Sequence, residues 1–216
     1  GSQPLSEKEE IARVVPIINE IRGQSHIPIS IDTYKSVVAN AAVEAGADMI
    51  NDISGMTFDP SMIDIILKYR CPVCIMHIKG TPRNMQENPF YEDVVGDVFS
   101  FLKQESEYAI SRGVNAMQII IDPGIGFGKR VQDNVMLMRN LGCLKSLGFP
   151  VLIGVSRKSF INSLLNVRTP QDRLGASLSA QLFCARQGAD ILRTHDVKET
   201  IQSVSIYNIL ERSYAF

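Results

Sequence analysis

The stretch Met117-Gln118-Ile119-Ile120-Ile121-Asp122-Pro123-Gly124 shows the pattern that decides the fold. An apolar run over residues 117–121 ends in a carboxylate, and turn-forming residues follow at once. A strand that is apolar throughout, without polar alternation, is typical of a parallel sheet whose two faces are both buried. The same pattern recurs along the chain, with apolar runs at residues 27–31, 49–50, 73–76, 117–121, 151–155 and 191–192.

Amphipathic segments separate these apolar runs and predict helices. Ser6 and Glu9 form a capping box, and Asp59-Pro60 is typical of a helix start. Strands that alternate with helices across short loops indicate an α/β fold with a parallel sheet. The predicted helices cover residues 6–22, 35–45, 60–69, 92–112, 131–146, 158–165, 173–187 and 198–211. Glycines that suit left-handed helix ends follow four of them, at Gly46, Gly113, Gly148 and Gly188.

A conspicuous polar residue follows each apolar run. In a closed barrel the carboxyl ends of all strands converge on one mouth, so these side chains would share a pocket. In an open doubly wound sheet they would spread along a line of roughly 25 Å, at about 4.8 Å per strand. The pattern therefore favours a (β/α)₈ TIM barrel, with about six of its eight βα units in this chain. The polar residues are Asp32, Asn51, His77, Asp122, Lys158 and His195.

Several of these polar residues also have an ordinary structural explanation. Asp32 precedes a helix and could cap it, and Asn51 could belong to a turn. His77 could be a core histidine with satisfied hydrogen bonds, and Asp122 could belong to the turn that Pro123 and Gly124 form.

The last two candidates in the chain are harder to explain in this way. Arg193 and His195 lie two positions apart, and side chains two apart on a strand point the same way. We therefore expect both to face the mouth.

Two glycine-containing loops indicate the kind of ligand. The stretch Gly124-Ile125-Gly126-Phe127-Gly128-Lys129 has neither the spacing of a dinucleotide fingerprint nor that of a P-loop. It can bring backbone close to a flat ligand, with Phe127 beside it. The stretch Gly154-Val155-Ser156-Arg157-Lys158-Ser159 joins a strand to a helix, and N–H groups at such a point attract a carboxylate or phosphate. An anionic substrate group is therefore expected near Ser159.

Composition excludes several classes of function. The 216 residues are 45% hydrophobic, which is enough for one sizeable core in a single domain. A net charge of −1 offers no electrostatic footprint for nucleic acid or an anionic membrane surface. No apolar run reaches the length of about 18 residues that spans a bilayer. Cys71 and Cys74 form a C-x-x-C without a second pair to complete a zinc site, so we expect buried free thiols in a reducing cytoplasm.

Six motifs resemble those of the dihydropteroate synthase family, in order and with appropriate spacing over nearly the whole chain. They are Ile31-Asp32-Thr33-Tyr34-Lys35, Asn51-Asp52-Ile53-Ser54-Gly55, Met76-His77-Ile78-Lys79-Gly80-Thr81-Pro82, Asp122-Pro123-Gly124-Ile125-Gly126-Phe127-Gly128-Lys129, Ser156-Arg157-Lys158-Ser159 and Arg193-Thr194-His195-Asp196-Val197. The resemblance implies one pterin-binding TIM-barrel domain over residues 1–216. It also implies a transferase of folate biosynthesis, which joins 7,8-dihydropterin-6-ylmethyl diphosphate to 4-aminobenzoate and yields 7,8-dihydropteroate and diphosphate.

The resemblance assigns most of the polar residues to the pterin. Asp32, Asp122 and Lys158 are expected to be catalytic and to hydrogen-bond the pterin. Asn51 is expected to bind the substrate through a hydrogen bond to the pterin. Arg193 is expected to stack on the pterin face. The other residues that the resemblance places around the ring are Ile53, Met76 and Phe127.

The remaining roles that the resemblance implies concern the second substrate and the leaving group. Ser159 is expected to receive the aminobenzoate carboxylate, and His195 to contact the diphosphate together with Mg²⁺. Sulfonamides, which mimic aminobenzoate, are expected inhibitors, and a homodimer is the expected assembly.

The sequence departs from the family at its beginning. The family starts with a strand that ends in a metal-binding Asn, then a loop with a Thr-Pro-Asp-Ser-Phe-Ser-type motif and a strand with a Glu-Ser-Thr-Arg-Pro-Gly-type motif. Neither segment is found here, and residues 1–4 resemble the end of the second one. We therefore expect an N-terminally incomplete barrel without a metal ligand of its own, which as written is inactive or poorly folded.

Two other functions are compatible with the same motifs. A methyltetrahydrofolate:corrinoid methyltransferase has the same barrel and a similar pterin pocket, but Ser156-Arg157-Lys158-Ser159 and the Arg193–His195 pair argue against it. A non-catalytic pterin-binding partner subunit is the second alternative, because the N-terminal strands are absent.

Overall fold

A computed structural model describes residues 5–211, in which six parallel strands alternate with helices. The predicted resemblance of residues 1–4 to the end of a family segment concerns residues outside the described ones. The strands are β1 (Ser30–Asp32), β2 (Met49–Asp52), β3 (Val73–Met76), β4 (Ile119–Asp122), β5 (Leu152–Ile153) and β6 (Ile191–Leu192). The helices are α1 (Glu7–Gln24), α2 (Ser36–Glu44), α3 (Met62–Tyr69), α4 (Val94–Ser111), α5 (Val131–Arg139), α6 (Leu141–Lys145), α7 (Ser159–Leu165), α8 (Leu174–Arg186) and α9 (Val197–Glu211).

The strands follow one another in sequence order. Strands β1 to β4 form one parallel sheet and β5 pairs with β6, while a parallel bridge between Ile121 and Val151 connects the two groups. At the carboxyl ends of the strands, Arg193 after β6 forms an ion pair with Asp32 of β1. The row of six strands is therefore curved, so that its first and last strands approach each other. The predicted α/β fold, with six βα units of a (β/α)₈ barrel, is confirmed.

The strands are buried on both faces, as their continuous apolar sequence predicts. All four residues of β3 are buried, and Ile50, Ile119 and Ile121 of the neighbouring strands have no exposed surface. Helices α2 to α5 cover the outer face with residues such as Ile63 and Leu102. Burial of such a side chain contributes roughly 1.5–3 kcal/mol, so this core holds the strand ends in place.

Several local predictions are confirmed. The capping box of Ser6 and Glu9 starts α1 at Glu7, with both reciprocal hydrogen bonds present. Positive φ angles occur at all four predicted helix-end glycines, Gly46, Gly113, Gly148 and Gly188. The helix start predicted at Asp59-Pro60, however, is two residues early, because α3 begins at Met62 with Ser61 as its N-cap.

Several predicted elements are wrong in detail. The strand expected over residues 27–31 comprises Ser30–Asp32, and the strand expected over residues 151–155 comprises Leu152–Ile153. The single helix expected over residues 131–146 is divided at Asn140, where the backbone leaves helical geometry between α5 and α6. The strand expected from Met117 starts at Ile119, because a short 3₁₀ turn (Ala116–Gln118) capped by Asn115 occupies the preceding residues. Turns of this kind depend on local side-chain capping, which hydrophobic periodicity does not reveal.

Three of the four cysteines are buried thiols, including both cysteines of the C-x-x-C. Cys71, Cys74 and Cys184 are buried, Cys143 is exposed, and all four are free. Burial raises the pKa of the Cys74 thiol well above its usual value, which makes it a poor nucleophile and metal ligand. Within residues 5–211, no helix combines the length and hydrophobicity that crossing a membrane requires.

The loop after β4 lies against the residues that follow β3. A Cβ atom at Gly124 would overlap the carbonyl oxygen of His77, and one at Gly128 would overlap that of Lys79. Both glycines have positive φ, at 68° and 64°. Only glycine allows this backbone-to-backbone approach without strain.

Gly124→Ala is therefore expected to destabilise the fold by more than the roughly 1–2 kcal/mol that a left-handed alanine costs, because the backbone must also move. Urea unfolding at equilibrium measures the loss. Gly175→Ala is the matched control: no atom lies within 4 Å of the added methyl group, and Gly175 is helical, so a neutral or stabilising change is expected. Equal stability of the two variants would contradict the close approach of the loops.

Candidate active site

The first group of side chains at the barrel mouth connects the end of β1 with the loop after β6. The Asn51 amide nitrogen donates to Asp32 Oδ1 at 3.2 Å, and Arg193 Nη2 lies 2.7 Å from Asp32 Oδ2. The Asn51 Oδ1 atom is buried and accepts no hydrogen bond from the described residues. A buried acceptor without a donor costs about 1–3 kcal/mol, so this atom is suited to a ligand donor.

The alternative in which Asp32 caps a helix is wrong. Helix α2 begins at Ser36, whose backbone N–H donates to the Asp59 carboxylate at 2.7 Å. The side chain of Asp32 is 45% exposed and turns to Asn51 and Arg193 at the mouth instead.

A buried carboxylate and a buried amine form the second part of the mouth. Asp122 ends β4, is only 6% exposed and accepts a hydrogen bond from the Gly124 N–H at 2.7 Å. Burial raises the pKa of Asp122, while the positive charges of Lys158 and other neighbours oppose the rise. Burial likewise lowers the pKa of Lys158 to about 8, and the Asp122 carboxylate limits that drop. The turn that could explain Asp122 by structure alone does exist, since the Gly124 N–H donates to its carboxylate. The charge of Lys158 acts on the same carboxylate.

Lys158 also fixes the glycine loop. Its Nζ donates to the Ile125 carbonyl and lies 4.5 Å from the centre of the Phe127 ring, a cation–π distance. The charges of Asp32 and Arg193 both affect the pKa of Lys158. Asp32, Asn51, Asp122, Lys158 and Arg193 therefore lie together, as the sequence predicts.

His77 does not belong to this group. Its ring packs edge-to-face on Phe101 of α4, with the ring centres 4.9 Å apart, and burial together with the charge of Lys129 lowers its pKa to about 3. The alternative of a satisfied core histidine is correct, since Lys129 Nζ lies 2.9 Å from His77 Nδ1.

Lys129 is a buried residue whose role the sequence does not predict. Its Nζ contacts three acceptors: His77 Nδ1, the His77 carbonyl at 3.3 Å and the Phe127 carbonyl at 3.0 Å. Burial lowers the pKa of Lys129 to about 7. Its position at the end of the glycine motif was the available signal, but only the fold shows that it joins the loops after β3 and β4.

Arg193 and His195 contact different neighbours. Strand β6 ends at Leu192, so the two-residue alternation of a strand does not extend over them. Arg193 reaches Asp32, whereas His195 Nδ1 lies 3.0 Å from Ser156 Oγ in the loop after β5. Ser159 is exposed at the first turn of α7, next to this loop.

The predicted apolar residues differ in accessibility. Met76 ends β3 and is 2% exposed, so it supports the pocket more than it lines it. Ile53 follows β2 and Phe127 lies in the glycine loop, and both are half-buried. The ligand-binding roles of these residues remain predictions.

Comparison with known proteins identifies the family. The family model described as "Pterin binding enzyme" matches residues 1–195. The dihydropteroate synthase of Synechocystis sp. (strain ATCC 27184 / PCC 6803 / Kazusa) is 42% identical over 212 residues, which are 98% of this chain and 73% of the relative. The chain belongs to the dihydropteroate synthase family.

Solved structures of this family share the architecture. The dihydropteroate synthase from Xanthomonas albilineans in complex with 7,8-dihydropteroate superposes with a TM-score of 0.91 at 38% identity, covering 98% of this chain and 78% of that one. The Yersinia pestis dihydropteroate synthase with a sulfonamide drug gives a TM-score of 0.92 at 38% identity, covering 96% and 75%. The dihydropteroate synthase barrel is thus the fold of this chain.

The lowered pKa of Lys158 predicts how stability depends on pH. Between about 8 and the ordinary value of 10.5 the unfolded chain binds more protons at this residue than the folded chain does. The free energy of unfolding therefore rises with pH in this window. We expect the stability of the native protein relative to Lys158→Met to increase from pH 8 to 10.5, by at most about 3 kcal/mol. Denaturant unfolding at a series of pH values measures this difference.

A second variant controls for the neighbouring charge. The Asp122 carboxylate raises the pKa of Lys158, so Asp122→Asn is expected to move the midpoint of this increase to lower pH. A difference between native protein and Lys158→Met that does not change with pH would refute the desolvation of Lys158.

Proposed function

We propose that the barrel mouth binds a dihydropterin diphosphate and 4-aminobenzoate and condenses them to 7,8-dihydropteroate and diphosphate. The observation that carries the proposal is the convergence of Asp32, Asn51, Asp122 and Lys158 on one pocket, where the buried Asn51 Oδ1 atom has no donor among residues 5–211. The relatives named above are dihydropteroate synthases, and this activity is the one that the family carries.

The polar groups match the edge of a pterin. Such an edge alternates hydrogen-bond donors and acceptors, and the mouth offers two carboxylates, an amide oxygen and an amine. A ring that cannot pair with these groups leaves buried atoms unsatisfied, at about 1–3 kcal/mol each, which gives selectivity for the pterin. Arg193, at the open side of the pocket, can stack on the ring face.

The charges suit a reaction in which the leaving group departs first. The C–O bond breaks, its electron pair leaves with diphosphate, and a cationic methylene conjugated to the pterin remains. Asp122 and Asp32 then stabilise this cation through the ring. The arylamine nitrogen forms the new C–N bond with its lone pair and releases a proton to solvent, so no enzyme nucleophile is required.

The anionic groups are expected on the opposite side of the mouth. His195 follows β6 and provides a hydrogen-bonding group for the diphosphate. Ser159 opens α7 after the loop that contacts His195, and we propose that its hydroxyl and backbone N–H hold the aminobenzoate carboxylate.

The described residues offer Mg²⁺ no cluster of protein ligands. Among residues 5–211, no group of three or more His, Cys, Asp and Glu side chains could hold a metal ion. Asp32, the accessible carboxylate at the mouth, is paired with Arg193. We therefore propose that Mg²⁺ enters with the diphosphate, whose oxygens are the ligands that it prefers, and we assign no step to it.

Three further properties belong to the same proposal. We propose a homodimer, and a location in the reducing cytoplasm, which the four free cysteines support. We also propose that sulfonamides compete with 4-aminobenzoate, since a family member has been solved with such a drug.

The function is tested by diphosphate release in the presence of the pterin diphosphate. We expect release that depends on 4-aminobenzoate, with dihydropteroate formed in equal amount. Asp122→Asn is expected to lower kcat/KM by about 10- to 100-fold, because hydrogen bonds to a charged group contribute about 1.5–3 kcal/mol. Asp64→Asn, which changes an exposed carboxylate on α3, is the matched control and should leave kcat/KM unchanged.

The alternatives give different results in this assay. Pterin binding without diphosphate release, in a protein that includes the N-terminal strands of the family, would indicate a non-catalytic partner subunit. Methyl transfer from methyltetrahydrofolate to a corrinoid would indicate the methyltransferase. Either result would overturn the proposed synthase activity.

A further inference from the structure

We propose that Arg157 and Asp196 are a pair of positioning residues, which hold the loop after β5 and the loop after β6 in the one arrangement that the reaction needs. The first loop carries Lys158 and Ser159, and the second carries Arg193 and His195. Neither Arg157 nor Asp196 is assigned a contact with substrate, so both act through their neighbours. The inference rests on the function proposed above.

The ion pair between the two residues is well defined. Arg157 Nε lies 3.0 Å from Asp196 Oδ2, and Arg157 Nη2 contacts Asp196 Oδ1 as well. The side chains are 27% and 12% exposed, so water screens the pair only in part. A two-point contact between a planar guanidinium and a carboxylate fixes relative orientation as well as distance.

Arg157 is held firmly on the side away from Asp196. Its backbone N–H donates to Ser177 Oγ at 2.9 Å, and its carbonyl accepts from Arg173 Nη1 at 2.8 Å. Its φ of 57° is left-handed, which is strained for a residue with a Cβ. This turn sends the next residue, Lys158, back toward the mouth, so the conformation of Arg157 determines where the catalytic amine lies.

Asp196 is connected to the helix layer by a chain of hydroxyl groups. Its N–H donates to Thr194 Oγ1 at 3.2 Å, and Thr194 Oγ1 lies 3.0 Å from Thr200 Oγ1. Thr200 Oγ1 in turn lies 3.0 Å from Gln181 Oε1 on α8. The loop after β6 is therefore attached to α8 and α9, and the ion pair transmits this attachment to the loop after β5.

A second contact between the loops passes through a predicted substrate residue. Ser156 Oγ lies 3.0 Å from His195 Nδ1 and accepts from the His195 N–H at 3.3 Å. Ser156 and Arg157 on one loop thus meet His195 and Asp196 on the other. Loss of the ion pair would leave every proposed substrate contact in the chain but relax Lys158, Ser159 and His195 together.

A double-mutant cycle tests the pair with Arg157→Ala, Asp196→Ala and the double variant. Each single variant is expected to lower kcat/KM by about 10- to 100-fold, because small displacements of aligned groups have effects of this size. KM for both substrates should rise in these variants. The kcat/KM of the double variant should be no lower than that of the less active single variant, since the pair acts as a unit.

Two further variants separate positioning from folding. Arg157→Lys keeps the charge but loses the two-point contact, so it should recover only part of the activity. Lys145→Ala breaks a single-point ion pair with Asp190, which lies before β6 at the opposite end of the strand, and should lower stability without changing KM. Thermal unfolding of every variant shows the folded fraction. Unchanged KM in folded Arg157 and Asp196 variants, or effects that multiply in the double variant, would overturn the inference.

Binding of inorganic diphosphate distinguishes this inference from the proposed function. Calorimetric titration needs no turnover, and it should show the same coupled loss of affinity in the two single variants and the double one. Absence of turnover in the unchanged protein, with this coupling present, would refute the synthase activity and leave the positioning pair. Equal diphosphate affinity in all variants would refute the positioning pair.

Discussion

The burial of opposite charges at the barrel mouth is the constraint on which the rest of the site depends. Asp122 and Lys158 are both removed from water, and each makes the charged form of the other tolerable. Buried charges of opposite sign contribute little to stability compared with apolar residues of similar size, but loss of one leaves the other uncompensated. Stability of the fold therefore does not explain why both charges lie at the mouth.

The glycine loop follows from the same constraint. For Lys158 to reach the Ile125 carbonyl, the loop after β4 has to turn inward, and Gly124 and Gly128 allow it to lie directly on the residues after β3. Lys129 then fills the space behind the loop, where three acceptors surround its amine. Two lysines thus hold one loop: Lys129 contacts the Phe127 carbonyl, and Lys158 contacts the Ile125 carbonyl and the Phe127 ring.

The sequence predicts those features that local pattern determines. Continuous apolar runs give the parallel strands, and the polar residue after each run gives Asp32, Asn51, Asp122 and Lys158 as neighbours, because parallel strands end at one edge. It does not predict contacts that depend on the path of a loop. The pairing of His77 with Lys129 spans 52 positions and that of Arg157 with Asp196 spans 39, and no periodicity relates such residues. The break at Asn140 is local and escapes prediction for a different reason, since the apolar spacing continues through it.

The arrangement as a whole shows a site that is built before its ligand binds. Arg157 keeps a left-handed backbone, Asn51 Oδ1 has no donor in the part of the chain that the structure describes, and two lysine amines are desolvated. Each of these features costs free energy in the folded protein. The apolar core beneath the strands offsets these costs, because it fixes the strand ends whatever the loops do. A ligand that donates to Asn51 and carries negative charge toward Lys158 and Arg193 would recover part of the cost. Binding energy and selectivity therefore arise from the same unsatisfied groups.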